Sequence, residues 1–302
     1  ILDGGNLSAH DRPRFARTLT RLAKSSACLP DCLMLSGVKK TGRDPVAGGG
    51  FADVWTGYFH STPVALKALR IYKRSDQEKA LREFSHEATI WRLLRHTNIL
   101  MFYGVFKGDE NFDRLCLVSP WMDAGNVIGY LEKNPDSDRF ALLGDVVNGL
   151  AYLHHFQPTI IHGDLKGANI FVTSGLIACL GDFGLSRFRD SQESTIGATT
   201  GYMAGTLRWQ APELFESRED GRTNRLSQES DIYSFGCVCL ELMTGRPPFM
   251  EVRGDGAVMK AITNKQTPQR PAEVFLKYGL DDDLWALMEK CWNYVPGQRP
   301  EM

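Results

Sequence analysis

The segment HGDLKGANIFVTSGLIACLGDFG, from His162 to Gly184, constrains this chain more than any other. It sets an acid and a lysine, Asp164 and Lys166, just ahead of an amide, Asn169. A second acid, Asp182, follows 13 residues after the amide and directly precedes a Phe-Gly pair. The run between them is short and apolar, which suits a hairpin whose two arms bring Asn169 and Asp182 together. Converging oxygen donors of this kind select Mg2+, a hard cation that keeps phosphate oxygens in its shell. Asp164 stands before that pair, placed to serve as a general base beside a metal-bound polyphosphate.

The 302 residues exceed the usual span of one domain, so one large domain or two joined lobes is expected. With 35 basic and 36 acidic residues the net charge is -1, which gives no reason to expect nucleic acid or an anionic membrane as principal partner. Seven cysteines, at 28, 32, 116, 179, 237, 239 and 291, match neither a disulfide framework nor a zinc-ligand spacing. That usage favours a reducing compartment such as the cytoplasm. No apolar run is long enough to span a bilayer, and the N-terminus lacks the basic start and apolar core of a signal peptide. The ends, at Ile1 and at Arg-Pro-Glu-Met, read as those of a piece of a longer chain.

Along the chain, Pro13 to Lys24 predicts a short helix with Phe15, Leu19 and Leu22 on its apolar side. Residues 1–42 read as an extension, either packed or regulatory. Val46 to Arg70 reads as strand, Gly-rich turn, strand, turn and a further strand that carries Lys67 among Val64, Ala65, Leu66 and Ala68. A lysine in an apolar strand needs a partner, because an isolated buried charge is costly. The helix expected over 75–95 buries Phe84, Ala88, Trp91 and Leu94 and supplies Glu87 as that partner. Short strands are expected over 98–106 and 114–119. Ser119, Pro120 and Met122 then open a connector whose backbone could read an adenine edge: Pro120 offers only a carbonyl, Met122 both groups. Beyond it the pattern turns helical. Helices are expected over 127–133 and 140–155, the second capped by Ser137 or Asp138. A third, over Ile232 to Met243, is apolar almost all round and reads as a central core helix with Asp231 as its cap.

Taken in order, GGGFADV, VALK, the helix glutamate, HGDLKGAN, DFG, APE, DIYSFG and GQRP make residues 43–302 resemble a eukaryotic protein kinase catalytic domain, specifically the tyrosine-kinase-like group of serine/threonine kinases. The resemblance implies a bilobal α+β fold: a small antiparallel-sheet N-lobe (43–118), a hinge (119–125) and a mainly helical C-lobe (126–302). It implies ATP and Mg2+ as cofactors and a protein substrate. Lys67 then holds the α and β phosphates, Glu87 orients it, Asp164 is the base, and Asn169 and Asp182 are the Mg2+ ligands. Ala47, Gly48, Gly49, Gly50, Phe51 and Val54 form the flap over the nucleotide. Ala65, Ser119 as gatekeeper, Pro120, Met122 and Phe171 surround the adenine. His162 and Phe183 are expected to stack with Trp91 and Phe102, Glu213 to pair with Arg299, and Asp231 to hold the backbone of the catalytic loop. Lys166, two residues after the base, and Thr206 follow the serine/threonine pattern.

This chain departs from the family at two places. Ala47 and Ala52 stand where the flap has its outer glycines, with only Gly49 kept and Gly48 and Gly50 extra. Gly163 replaces the arginine that normally meets a phosphate on the activation segment. Phosphorylation of Thr195, Thr199 or Thr200 therefore lacks that route, and basal activity is expected not to depend strictly on it. The alternative is a pseudokinase, a nucleotide-binding scaffold, which the altered flap favours and the complete set of polar residues opposes. A small-molecule phosphotransferase fits less well, because the APE stretch and the Glu213 to Arg299 pairing suit a peptide-docking lobe. The chain stops about where the family's last helix begins, so a shortened C-lobe is expected.

Overall fold

Alternation of apolar with small or polar residues makes the first unit of the chain, 1–123, a sheet protein with two α-helices among its described residues. In the computed structural model the described residues are 11–48, 52–70, 77–189, 205–216, 225–271, 276 and 278–302. The long hairpin of β3 (Ala52–Phe59) and β4 (Thr62–Leu69) is the spine of the sheet. β1 (Val38–Lys40) and β2 (Ala47–Gly48) pair with β3, while β6 (Cys116–Pro120) pairs with β4 and with β5 (Gly104–Phe106), every pair antiparallel. One face is closed by a core of Trp55, Val64, Leu66, Ala68, Val118 and their neighbours.

The strand expected over 98–106 is real only from Gly104. Ile99 and Leu100 are buried in a turn instead, with the Ile99 N–H on the His96 carbonyl (3.1 Å) and the Trp91 indole N–H on the Leu100 carbonyl (2.6 Å). Helix α2 (Gln77–Leu93) buries Phe84, Ala88 and Trp91 as its periodicity predicts. Helix α1 (Asp11–Ser26) forms too, but on a different face from the one expected. Phe15 and Leu22 are 46% and 60% exposed, and the buried stripe is Ala16, Thr20 and Ala23. α1 packs along α2, and interhelical distance is set by the side chains at the contact, so the small residues face inward.

The second unit, 124–302, is mainly helical. α3 (Val127–Lys133) and α4 (Arg139–His155) start at side-chain caps, Asn126 on the Gly129 N–H and Asp138 on the Ala141 N–H. At the centre is α5 (Gln228–Thr244), closed by a left-handed Gly245. Its cap is Ser227, in a reciprocal box with Ser230, and not Asp231. Asp231 lies within the first turn and is turned elsewhere. α6 (Asp255–Thr263) packs on the short helical turns Leu207–Trp209 and Pro212–Phe215, and α7 (Asp282–Cys291) on α5. Two small antiparallel pairs complete the unit: β7 (Ile160–Ile161) with β10 (Arg187–Phe188), and β8 (Ile170–Val172) with β9 (Ala178–Leu180). α5 and α7 meet so closely at Gly236 that a Cβ there would stand 2.8 Å from the Cys291 Cβ. All seven cysteines are thiols, and no helix among the described residues is long and apolar enough to cross a membrane.

The expected pairing of Glu213 with Arg299 closes this unit. The guanidinium reaches both carboxylate oxygens at 2.7 Å, donates to the Glu229 and Asn293 carbonyls, and is fully enclosed. Replacing Arg299 with Met leaves the largely enclosed Glu213 carboxylate without its partner and should lower unfolding stability by about 3 kcal/mol. Pairing it with Glu213→Gln should cost less than the two changes summed. Chemical denaturation of the single and double variants checks this, and a single variant as stable as the parent would contradict it.

Candidate active site

In the first unit, strand register gathers the candidate nucleotide residues onto one sheet face. Val54 lies opposite Lys67, and Ala65 opposite Ser119, so Val54, Ala65, Lys67 and Ser119 all project from the side away from the Trp55 core. α2 lies on this same side, because Glu87 Oε1 accepts from Lys67 Nζ at 2.7 Å. The pair is half-enclosed, with side chains 27% and 11% exposed. Pro120 ends β6 opposite Val64, and Met122 lies half-buried just beyond it. Neither backbone group of Met122 has a partner among the described residues. Of the flap, Ala47 and Gly48 pair with Val54 and Asp53; Gly49, Gly50 and Phe51 lie outside the described residues.

Sequence reasoning missed an ion cluster at the root of this hairpin. Asp53 accepts from Arg70 Nε at 2.8 Å and from Arg114 Nη1 at 2.7 Å, and Arg70 and then Arg114 hold its carboxyl below the usual aspartate range. Beside it is a pocket of about 410 Å3, walled by Leu69, Leu81 and Leu115, that includes none of the candidate residues. The signal was available: an acid inside an alternating strand needs a cation in register.

In the second unit the catalytic loop hangs from α5. Asp231, 1% exposed, accepts the His162 N–H (2.8 Å) and the Gly163 N–H (2.9 Å), and His154 Nε2 lies 3.0 Å away. This is the backbone-holding role expected of it. His162 accepts the Asp164 N–H at Nδ1 (3.2 Å) and faces the Gly181 carbonyl with Nε2 (3.2 Å), an arrangement that suits the tautomer with its hydrogen on Nε2. Gly163 is left-handed (φ +79), and a Cβ there would come within 2.6 Å of Leu226 Cδ1 and 3.1 Å of the Leu185 carbonyl.

The polar cluster then assembles as the segment's spacing implied. The β8–β9 hairpin starts directly after Asn169 and ends just before Asp182, and the Gly181 N–H on the Asn169 carbonyl (2.9 Å) closes it. Asp182 has a left-handed backbone (φ +61), a strained setting for a non-glycine residue of the kind that collects at functional sites. Asn169 Nδ2 donates to the Asp164 carbonyl and to Asp164 Oδ2, both at 2.8 Å, which leaves its amide oxygen for a cation. Lys166 Nζ lies 3.1 Å from Asp164 Oδ2 and donates to Thr206 Oγ1 at 2.6 Å. Asp164 Oδ1 is buried without a partner among the described residues. Phe171 lies in β8, half-buried, bridged to Asn126. Of the expected aromatic column, Trp91 stacks on Phe102 in the first unit (5.0 Å, 23° between planes), whereas His162 meets Phe183 in the second as a tilted pair (5.4 Å, 55°) and not a stack.

Glu241 was also missed, inside a helix that reads as apolar almost all round. It is 6% exposed, and its Oε2 accepts the Gly167 N–H and the Trp209 indole N–H, each at 2.8 Å. Burial pushes its carboxyl up, opposed by those two donors. Gly167 admits no side chain, since a Cβ would stand 2.6 Å from Ile128. An acid within the apolar run from Ile232 to Met243 was the signal, because a buried carboxylate requires donors.

Residues 42–302 match the family model described as protein tyrosine and serine/threonine kinase. The chain is 31% identical over 261 residues to serine/threonine-protein kinase STY46 of Arabidopsis thaliana, covering 85% of this chain and 41% of that protein. It is 31% identical over 263 residues to serine/threonine-protein kinase VIK of the same plant (84% and 56%). It is 32% identical over 216 residues to the RAF proto-oncogene serine/threonine-protein kinase of Xenopus laevis (69% and 31%). The chain therefore spans roughly a third to a half of the length of these relatives. It belongs to the protein tyrosine and serine/threonine kinase family, as a eukaryotic protein-kinase catalytic domain related to plant serine/threonine kinases of the tyrosine-kinase-like group.

Burial raises the Asp164 carboxyl above the ordinary aspartate range, with the Asp182 charge adding to it and Lys166 opposing it. Between the ordinary value and this raised one, the folded chain keeps a proton that the unfolded chain has released. The group's contribution to stability therefore falls as pH rises through that window. Titration of the Asp164 side-chain carbon by NMR should give a midpoint above that of an exposed aspartate. It should move higher in Lys166→Met and lower in Asp182→Asn; an unmoved midpoint in both would contradict this electrostatic description.

Proposed function

We propose that the chain transfers the γ-phosphoryl group of ATP, with Mg2+, to serine or threonine hydroxyls of protein substrates. Residues 43–302 are the kinase domain in this reading, and 1–42 an extension to it. The observation that carries it is the Asp164 carboxylate. Oδ2 is held by Asn169 and Lys166, while Oδ1 is buried and unpaired among the described residues, where a substrate hydroxyl could donate to it. The raised affinity of this carboxyl for a proton suits a base that receives one as the hydroxyl attacks phosphorus.

Asp182 and the amide oxygen of Asn169 form a hard oxygen donor set that fits Mg2+. When bound with ATP, Mg2+ neutralises charge on the phosphate oxygens. Lys67, oriented by Glu87, holds the α and β phosphates, and Lys166 steadies the transferred group from its place beside Thr206. Ala47, Gly48, Gly49, Gly50, Phe51 and Val54 cover the nucleotide. Ala65, Ser119, Pro120, Met122 and Phe171 receive the adenine, with the backbone groups of Met122, unpartnered among the described residues, reading its edge. Most of the rate enhancement comes from positioning and charge, since phosphoryl transfer asks little covalent chemistry of the protein.

Gly163 carries the regulatory part of the proposal. It holds no cation to meet a phosphate, and its left-handed backbone and near contacts exclude the side chain that other kinases use there. Basal activity thus does not depend strictly on phosphorylation of Thr195, Thr199 or Thr200, which lie outside the described residues.

One assay with Mg-ATP and a mixed peptide library tests both parts. The chain should phosphorylate the library, and Asp182→Ala should lose about a hundredfold or more of that activity. Phosphatase-treated and autophosphorylated samples should agree within about tenfold, because no arginine at 163 rewards the added charge. Turnover retained by Asp182→Ala would overturn the metal assignment. Nucleotide binding with no turnover would favour the scaffold reading, to which Ala47 and Ala52 in the flap lend weight.

A further inference from the structure

Helix α1 precedes the residues matched by the family model, so the family relationship gives it no task. Its geometry supplies one. α2 is buried on every side from Phe84 to Trp91, more than packing against a single sheet face provides, and α1 lies along it. The contact runs through Ala16, Thr20 and Ala23, exposed by 3%, 2% and 3% and recurring one helical turn apart. At the end of this seam Lys24 Nζ stands 3.3 Å from Glu83 Oε1, with the two side chains 18% and 29% exposed.

Glu83 and Glu87 are four residues apart, one above the other on the same face of α2. Glu87 is the residue that receives Lys67 at 2.7 Å. A tether at Glu83 therefore sets the rotation of α2 about its own axis, and with it the direction of Glu87. Near Glu83 the buried side chains Phe84 and Ala88 make an apolar, non-directional contact that by itself lets the helix roll, while the directional bond from the Trp91 indole N–H to the Leu100 carbonyl (2.6 Å) lies about two turns further along. A directional ion pair limits that roll.

We propose that α1 is a brace for the Lys67–Glu87 pair, with Lys24 and Glu83 as positioning residues that act through Glu87 on Lys67. The small residues of the seam let α1 lie close enough for Lys24 to reach. The consequence for turnover rests on the kinase reading given above; the consequence for Lys67 itself does not.

The test uses the full 302-residue chain as Lys24→Glu, as Glu83→Lys and as the exchanged double variant. Two readouts are taken. The first is the rate at which Lys67 Nζ is acylated by an N-hydroxysuccinimide ester without nucleotide, followed by peptide mass spectrometry. The second is KM for ATP against kcat with a serine/threonine peptide library. Each single variant should raise Lys67 acylation by about three- to fivefold, the reach of a partly exposed ion pair. KM for ATP should rise in parallel, and the exchanged pair should return both to within about twofold of the parent, which a merely structural effect would not do. Unchanged Lys67 acylation in both single variants overturns the brace, as does an exchanged pair no better than the singles. If acylation behaves as expected while the parent transfers no phosphate, the brace stands and the kinase reading fails. If the parent is active and acylation is unmoved, the reverse holds.

Discussion

Two acids on α5 determine how the catalytic loop is held. Asp231 takes the backbone N–H groups of His162 and Gly163, and Glu241 takes that of Gly167. They lie ten residues apart on one helix, a separation of about 15 Å along a rigid rod. The loop is thus pinned near both ends to a helix that is buried along most of its length. Neither carboxylate could remain buried without these donors, since an unpaired buried charge is costly. The dependence is mutual: the helix needs the loop's N–H groups, and the loop takes its shape from the helix.

What lies between the two pins follows from them. Gly163 must be glycine because its N–H is turned to Asp231 in a left-handed backbone with Leu226 and Leu185 close by. His162 is held between Asp164 and Gly181, which ties the start of the loop to the end of the β8–β9 hairpin. Asn169 then restrains Asp164 through two hydrogen bonds, and Glu241 also holds Trp209, just after the Thr206 that Lys166 contacts. In the first unit, strand alternation has the corresponding role. It turns Val54, Ala65, Lys67 and Ser119 to one face and gives the other to the core.

The groups proposed to carry the chemistry were legible in the sequence because few residue types can do it. A lysine in an apolar strand demanded an acid, and Glu87 met it; a short apolar run between an amide and an acid predicted the hairpin that joins them. Less legible was whatever depended on which neighbour a residue meets. α1 was recognisable as a helix, yet its hydrophobic side chains Phe15 and Leu22 point outward, because close approach to α2 favours alanine over bulk. Asp231 looked like a helix cap, since local sequence cannot tell an acid that serves its own helix from one that serves a loop 69 residues away. Glu241 and Asp53 each signalled a need for donors, but which donors they take was hidden for the same reason: Gly167 and Arg114 come from distant segments.

The most direct measurement is phosphoamino-acid analysis of a protein substrate incubated with the purified chain, Mg2+ and ATP labelled at the γ position, beside an Asp164→Asn control. A loop pinned by Asp231 and Glu241 with Asp164 as base predicts phosphoserine or phosphothreonine from the parent and none above background from the control. Phosphotyrosine as the product, or equal labelling by the Asp164→Asn variant, would contradict it.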